Sequence, residues 1–398
     1  MTETPVLPVF MQRDGFDPVP ELTALRKDEG VRRLDFGGGY FGWLVTRFED
    51  VRTVLSDPGR FSNARQAAMQ TEGLDEALAA ELAASQVGNL LTLDPPEHGR
   101  LRRLLTPEFT MRRIGRLEPR ITEIVADHLD AMERKGPPAD LVAEFAMPIP
   151  SLVICELLGV PYTDRAEFQE LGARQLDQSL PPQEQVRAQT DARTYMARLV
   201  AKARTDPGED MLGMLVREHG DAITSEELTG VASLLLVAGH ETTANMLGLG
   251  TLALLRHPDQ LALVRDDPDA VGPAIEELMR WLSILHAGTA KVTTTDVELS
   301  GRTIGAGELI ICVLAAANRD PALVERPDEL DVRRGALGHV GFGHGVHHCL
   351  GAPLARMEMR IAFPALLRRF PDLRAVGSDM DARIFSAIYG LSSLPVQW

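Results

Sequence analysis

A mostly α fold with minor β is what this sequence predicts, on three observations. Thr224-Ser225-Glu226-Glu227 reads as a capping box, and the helix that it opens can run to His257, where Pro258 ends it. In such a box the threonine side chain accepts from the backbone three residues on, while the glutamate reaches back to the threonine's own N–H. About 33 residues at roughly 1.5 Å each make a helix near 50 Å, long enough to cross the protein. Its middle, Val231 to Ala238, is apolar apart from Ser233, which predicts burial on nearly every side. The second observation is a run of helical stretches between Glu97 and residue 204, and the third is that strand-like stretches are few and short.

In chain order, residues 42–46 (Gly-Trp-Leu-Val-Thr) read as a strand, and Phe48 to Ser56 has helical spacing of Val51, Val54 and Leu55. Residues 58–96 mix Gly, Ser, Asn and Gln with a short acidic-apolar helix, an excursion that closes at Asp94-Pro95-Pro96. A helix over Glu97 to Leu105 stops before Pro107. Further helices are expected at 115–135, 148–159, 164–178 and 183–204, the last two parted by Pro181-Pro182. After the long helix come a helix from Val271 to Leu285, strands at 289–299, 302–305 and 308–313, a helix from Leu350 or Gly351 to Leu367, and a hairpin around Phe385 to Val396.

With 398 residues and 44% hydrophobic content the chain can bury a large core, and no internal repeat divides it. Three cysteines, Cys155, Cys312 and Cys349, are too few for a disulfide framework and suit a reducing cytoplasm. The longest apolar runs fall far short of a membrane span. Met1 to Phe10 carries Glu3 and two prolines in place of a basic-then-apolar leader, so no signal or membrane anchor is expected. A formal charge of −16 argues against general nucleic-acid binding. From His98 to Arg120, however, there are seven arginines against only Glu108 and Glu118. That segment is either a solvated helix face or a docking site for an acidic electron carrier.

The stretch Phe342-Gly343-His344-Gly345-Val346-His347-His348-Cys349-Leu350-Gly351 places one cysteine in a glycine-rich loop that opens into a helix. Three readings stand. A lone cysteine is often a small buried hydrophobe. With His344, His347 and His348 it could suggest zinc, although no CxxC or second ligand pair lies at zinc-like spacing. A cysteine at a helix N-terminus is also favoured as a thiolate, the form that haem iron binds.

The ten residues match the F-G-x-G-x-H-x-C-x-G signature of the cytochrome P-450 superfamily, and the chain resembles soluble bacterial members from Trp43 to its last strand. The resemblance implies a single P-450 domain over residues 1–398, with the long helix lying over haem b and Cys349 as the axial iron ligand. Phe342 would pack against the ring near the sulfur, and Gly351 would let backbone approach it. Ala238-Gly239-His240-Glu241-Thr242 resembles A-G-x-E/D-T, in which a locally opened helix seats dioxygen beside Ala238 and Gly239. Glu241 would then feed protons and Thr242 would hydrogen-bond the oxygen. The local alternative is that Thr242 bonds the Ala238 carbonyl and merely bends the helix.

His98 and Arg102 match H-x-x-x-R, and with His347 and Lys291 they would hold the haem propionates. Lys291 stands where the family usually has an arginine, which gives a point charge in place of a bidentate fork. Val324 likewise stands where an aromatic is common. Glu277 and Arg280 match E-x-x-R, a buried structural brace in the family, although an i,i+3 pair alone is usually a surface staple of about a few tenths of a kcal/mol.

The activity implied is monooxygenation of a hydrophobic small molecule such as a polyketide macrolide, terpenoid or steroid. Electrons would come from NAD(P)H through a ferredoxin and its reductase to a monomeric enzyme. Rival readings are a haem-based sensor, which has no need of the Glu241-Thr242 pair, and a peroxide-using enzyme. By the same resemblance Asn89, Leu90, Leu91, Leu236, Met246, Leu285, His286, Phe385 and Ser386 lie at or near the substrate pocket.

Overall fold

The structure is a computed structural model, and it describes residues 7–35, 41–70, 76–176, 180–377 and 379–398. Its axis is the helix Ser225–Arg256. The capping box forms as expected: Glu227 N–H donates to Thr224 Oγ1 at 3.1 Å, and Thr224 N–H donates to Glu227 Oε2 at 2.9 Å. Pro148–Leu158, Pro182–Thr205 and Ala352–Arg369 pack around it, and one apolar core runs from Phe16 to Val396. The class is mostly α with minor β, as the sequence predicts.

A five-stranded sheet lies to one side, in the order Val31–Asp35, Phe41–Val45, Leu309–Cys312, Thr289–Thr293, Phe61–Ser62. All neighbours are antiparallel except Leu309–Cys312 with Phe41–Val45. Lys291 faces Ile310 in register, so the ammonium stands on an interior strand and is almost wholly buried.

The helices expected at 48–56 and 97–105 have those bounds, and the one expected at 115–135 is Glu118–Lys135 after a 3₁₀ turn. Arg165–Leu176 answers to the stretch 164–178, whose last two residues lie outside the described ones. Among the helices that escape the sequence reading or are misplaced by it are Pro20–Asp28, Pro258–Asp266 and Pro268–Leu282. Each begins on proline, whose missing N–H is not needed at the first helical position, so a residue that reads as a breaker is a starter. Met211–His219, capped by Asp210, is also additional. The helix expected to reach Leu285 stops at Leu282 because Ser283 turns left-handed, at φ 43°.

The C-terminal hairpin differs too. Its arms are Asp381–Ala382 and Leu391–Ser393, so Phe385 lies in the connecting loop and not in a strand. Pro395–Gln397 leaves that hairpin to pair with Arg374–Ala375 and Ala139–Asp140.

Glu277 and Arg280 are fully buried, which overturns the surface-staple reading. Arg280 Nε and Nη2 each donate to Glu277 at 2.8 Å, and Nη1 donates to the carbonyls of Asn318 at 2.8 Å and Pro327 at 2.7 Å. Glu277 Oε1 also accepts from Arg334 Nε and the Asp331 N–H, both at 3.1 Å. Removing one member of such a buried pair leaves the other charge stranded. Arg280→Ala should therefore lower unfolding stability by about 3–5 kcal/mol, read as the midpoint of urea denaturation.

Candidate active site

The cysteine loop hangs from this brace. Asn318, whose carbonyl Arg280 holds, donates from Nδ2 to Ser283 Oγ at 2.8 Å and accepts the Val340 N–H on Oδ1 at 2.8 Å. The loop then folds on itself, with Gly343 N–H to the Val340 carbonyl at 2.9 Å and Cys349 N–H to the Phe342 carbonyl at 2.8 Å. Gly345 has φ +69°, and a Cβ there would sit 2.4 Å from the Leu55 carbonyl oxygen, so only glycine lets the loop seat on the end of Phe48–Ser56.

Cys349 precedes the helix Ala352–Arg369 and is accessible, in contrast to the buried Cys155 and Cys312. Burial by the surrounding protein is nonetheless the largest influence on the thiol and raises its pKa. Against burial act the N–H groups of Gly351 and Ala352 and the charges of Arg102 and Arg356, all of which favour thiolate.

Phe342 is buried beside the cysteine. Arg356 lies over its ring at 4.4 Å from the centroid and is itself held by Glu276 at 2.6 and 2.8 Å. His339 Nε2 completes the group at 3.1 Å from Glu276. Burial alone would raise the Glu276 pKa, yet the Arg356 and His339 contacts bring it down to about 2.

His98, Arg102, Lys291 and His347 come together as the sequence reading expects. The His98 and His347 rings lie 4.1 Å apart, and the Nε2 atom of each is buried without a hydrogen-bond partner. Lys291 Nζ donates to Asn63 Oδ1, and Arg102 Nη2 to the His348 carbonyl. Burial lowers the His347 pKa to about 3, with Lys291, His98 and Arg102 adding to the effect. Burial, Arg102 and Lys291 likewise lower that of His98. Burial also lowers the Arg102 and Lys291 pKa values, and four basic groups gathered away from water are favoured when further negative charge sits among them. Two carboxylates of a buried ring would meet that need, so the residues present fit haem.

On the long helix, Ala238 is exposed and Leu234 and Thr242 are half-buried, a strip at four-residue spacing on a helix whose middle is mostly buried. Gly239, beside the strip, packs against the neighbouring helix, where a Cβ would meet Ile154 Cδ1 at 2.6 Å. The expected local opening of the helix is not found: it is continuous from Ser225 to Arg256, and Thr242 Oγ1 donates to the Ala238 carbonyl at 2.6 Å. The hydroxyl is thus engaged with its own helix, as the local alternative has it.

Glu241, next to Thr242, is buried and turned toward the C-terminal loop. Arg383 Nη2 donates to its Oε2 at 2.7 Å and to Asn245 Oδ1 at 3.0 Å. Burial would raise the Glu241 pKa, but His240 and Arg383 hold it at about 2.

Of the expected pocket residues, Leu236 and Met246 are corrected to core packing, being fully or almost fully buried. Asn89 caps the turn at Leu91, and His286 Nδ1 lies 3.2 Å from the Ser386 carbonyl. Arg356, Arg383 and Asn245 were missed. Arg356 had a faint signal, two helical turns past Cys349; Arg383 had none, being 142 residues from its partner. The pH dependence of the Glu276 cluster follows from the sign of its shift. A carboxylate whose pKa is depressed stabilises the fold above the unfolded value of 4.5 and stops doing so as pH falls through about 2. Glu276→Gln should thus be less stable than the wild type at pH 7, by about 1–3 kcal/mol, with the gap closing between pH 4.5 and 2 in chemical denaturation.

Comparison with known proteins agrees with this architecture. The family model described as Cytochrome P450 matches residues 178–376. The chain is 48% identical over 400 residues to Cytochrome P450 FAS1 of Rhodococcoides fascians, covering 100% of each. It is 42% identical to the Vitamin D(3) 25-hydroxylase of Pseudonocardia autotrophica, over 96% of this chain and 93% of the relative. The solved structure of P450 StaH, from biosynthesis of the glycopeptide antibiotic A47934, aligns with TM-score 0.87 and 46% identity, over 98% of this chain and 100% of that one. With a likeness that spans both partners end to end, this chain belongs to the cytochrome P450 family and is a haem-binding bacterial monooxygenase, resembling members that tailor natural products.

Proposed function

We propose that this enzyme inserts one oxygen atom from O2 into a hydrophobic small molecule, of polyketide macrolide, terpenoid or steroid-like size. Two electrons would come from NAD(P)H through a ferredoxin and its reductase. The observation that carries the reading is the convergence of an accessible Cys349 with four basic groups, two of them histidines whose Nε2 atoms are buried without a hydrogen-bond partner. Bound haem supplies the redox centre at which dioxygen is activated, and a thiolate ligand donates the electron density that favours O–O cleavage.

The chain's own residues prepare that centre. Cys349 is the iron ligand, held toward thiolate by the Gly351 and Ala352 N–H groups and by Arg102 and Arg356. Phe342 packs against the ring, pinned from behind by Arg356. His98, Arg102, Lys291 and His347 hold the propionates. Glu241 places a carboxylate inside the core, and Thr242 offers a hydroxyl from the half-buried strip. An acid and an alcohol side by side suit the delivery of protons to a reacting oxygen.

For the electron partner, four of the seven arginines between His98 and Arg120 are engaged within the protein. Arg100 pairs with Glu227, Arg113 with Glu108 and Glu218, Arg120 with Glu123 and Glu156, and Arg102 bonds the His348 carbonyl. Arg103, Arg112 and Arg116 are exposed, with exposed Met111 beside them. Cations around an apolar spot suit an acidic ferredoxin. Among the described residues no helix is long and apolar enough to cross a membrane, which is compatible with a cytoplasmic, single-domain monomer. The substrate class draws on the half-buried Leu285 and Phe385 and on the printed activity of the vitamin D(3) relative.

The reduced carbon-monoxide complex should show the long-wavelength Soret band of thiolate ligation, and Cys349→Ser should lose it; a wild type without the band refutes the reading. Arg103→Glu combined with Arg112→Glu should slow ferredoxin-dependent reduction by about tenfold at low salt, with the difference shrinking as salt rises. Stopped-flow reduction with a surrogate ferredoxin measures it.

A further inference from the structure

Glu241 has one satisfied and one unsatisfied oxygen. Oε2 takes the Arg383 guanidinium, whereas Oε1 is buried without a hydrogen-bond partner, 3.5 Å from His240 Nε2, which is buried and unpartnered as well. The other ring nitrogen settles the proton count. His240 Nδ1 lies 2.7 Å from the Leu236 carbonyl oxygen. A carbonyl can only accept, so Nδ1 carries hydrogen, and in a neutral imidazole Nε2 would then present a lone pair to a carboxylate oxygen. Two acceptors facing each other in a buried site repel. One proton between them, on Nε2 or on Oε1, removes the conflict.

The surroundings leave few hands on that proton. The charges that act on Glu241 are Arg383, from the C-terminal loop, and His240, from its own helix. The helix Arg165–Leu176 closes over the imidazole with the Phe168 ring at 5.9 Å and with Gly172, where a Cβ would lie 2.3 Å from His240 Cε1. Pro148–Leu158 adds the apolar Ile154 against Gly239.

Arg383 is also the first residue of the loop that joins Asp381–Ala382 to Leu391–Ser393. Its N–H donates to the Gly390 carbonyl at 2.9 Å and its carbonyl accepts the Ser386 N–H at 3.3 Å, so its backbone is tied to the turn that carries Phe385 and Ser386. The loop is pressed against the long helix: a Cβ at Gly390 would fall 1.6 Å from Asn245 Oδ1, the atom that Arg383 also contacts.

We propose that His240 and Glu241 share a single buried proton and that Arg383 is the positioning residue that decides which of them carries it. With the guanidinium on Oε2, the proton rests on His240 Nε2 and Glu241 is a carboxylate. When Arg383 withdraws with its loop, the Nε2–H bond breaks and an Oε1–H bond forms, converting an ion pair into a neutral imidazole and a neutral acid beside Thr242. A substrate seated against Phe385 and Ser386 thereby controls when Glu241 becomes a proton donor. This rests on the reading of Glu241 as the proton-delivering residue.

Carboxyl-stretch infrared spectroscopy on the full-length, haem-loaded protein at neutral pH tests it. The wild type should show no protonated-carboxyl band that Glu241→Gln removes. Arg383→Gln should gain such a band, Arg383→Gln with Glu241→Gln should lack it, and Arg383→Lys should suppress it again. Arg383→Met serves the same comparison if the glutamine variant does not fold. In turnover, Arg383→Gln should change the ratio of hydrogen peroxide released to product formed several-fold, with lysine returning it toward the wild type. Absence of a Glu241-dependent band in both charge-removed variants overturns the proposal whatever the turnover. Unchanged coupling in Glu241→Gln overturns instead the reading of Glu241 as proton donor.

Discussion

A guanidinium with no access to water, Arg280, is the constraint on which the rest of this molecule depends. A buried cation costs several kcal/mol unless its donors are met. Here they are met by Glu277 and by the carbonyls of Asn318, Pro327 and Glu329, more than thirty residues further along the chain. Satisfying one side chain therefore fixes the path of a segment that has little regular structure of its own. Asn318 passes the constraint on by taking the Val340 N–H, and from Val340 the chain runs through Phe342 to Cys349. The cysteine's position is set from the helix Pro268–Leu282 before any ligand is considered.

The electrostatics follow the same economy of placement. Basic groups are gathered at His98, Arg102, Lys291 and His347, where a buried dianion would sit, and near the sulfur at Arg356. The one buried carboxylate on the long helix near the half-buried strip, Glu241, is held between Arg383 and His240. These are different uses of one rule. Charges inside a protein are tolerated in pairs, and a group left without its partner marks where something else belongs. Lys291 shows it on a small scale. Its ammonium donates to Asn63 Oδ1, and the Asn63 N–H is held by Asp94, so the strand Thr289–Thr293 is tied to the 63–94 region.

What was legible in the sequence was what is local. The Thr224 capping box, the i,i+4 pair of His98 and Arg102, and the glycine pattern before Cys349 each depend on neighbours a few residues away, and each stands where the pattern put it. Glu277 and Arg280 were legible as a pair from their spacing but as a buried brace only through the family resemblance, because burial is decided by the segment 318–334 that folds over them. The Arg383–Glu241 and Lys291–Asn63 contacts span 142 and 228 residues and leave no periodic trace. Proline misled in a systematic way: at Pro20, Pro258 and Pro268 it opens helices, since the residue that cannot continue a helix is well suited to begin one.

X-ray absorption at the iron edge of the ferric, substrate-free protein tests the central claim most directly, namely that the brace-held loop presents Cys349 to haem iron. One sulfur scatterer in the first coordination shell, alongside the four ring nitrogens, is the predicted result. A first shell of nitrogen and oxygen alone in correctly folded, haem-loaded protein would contradict the account.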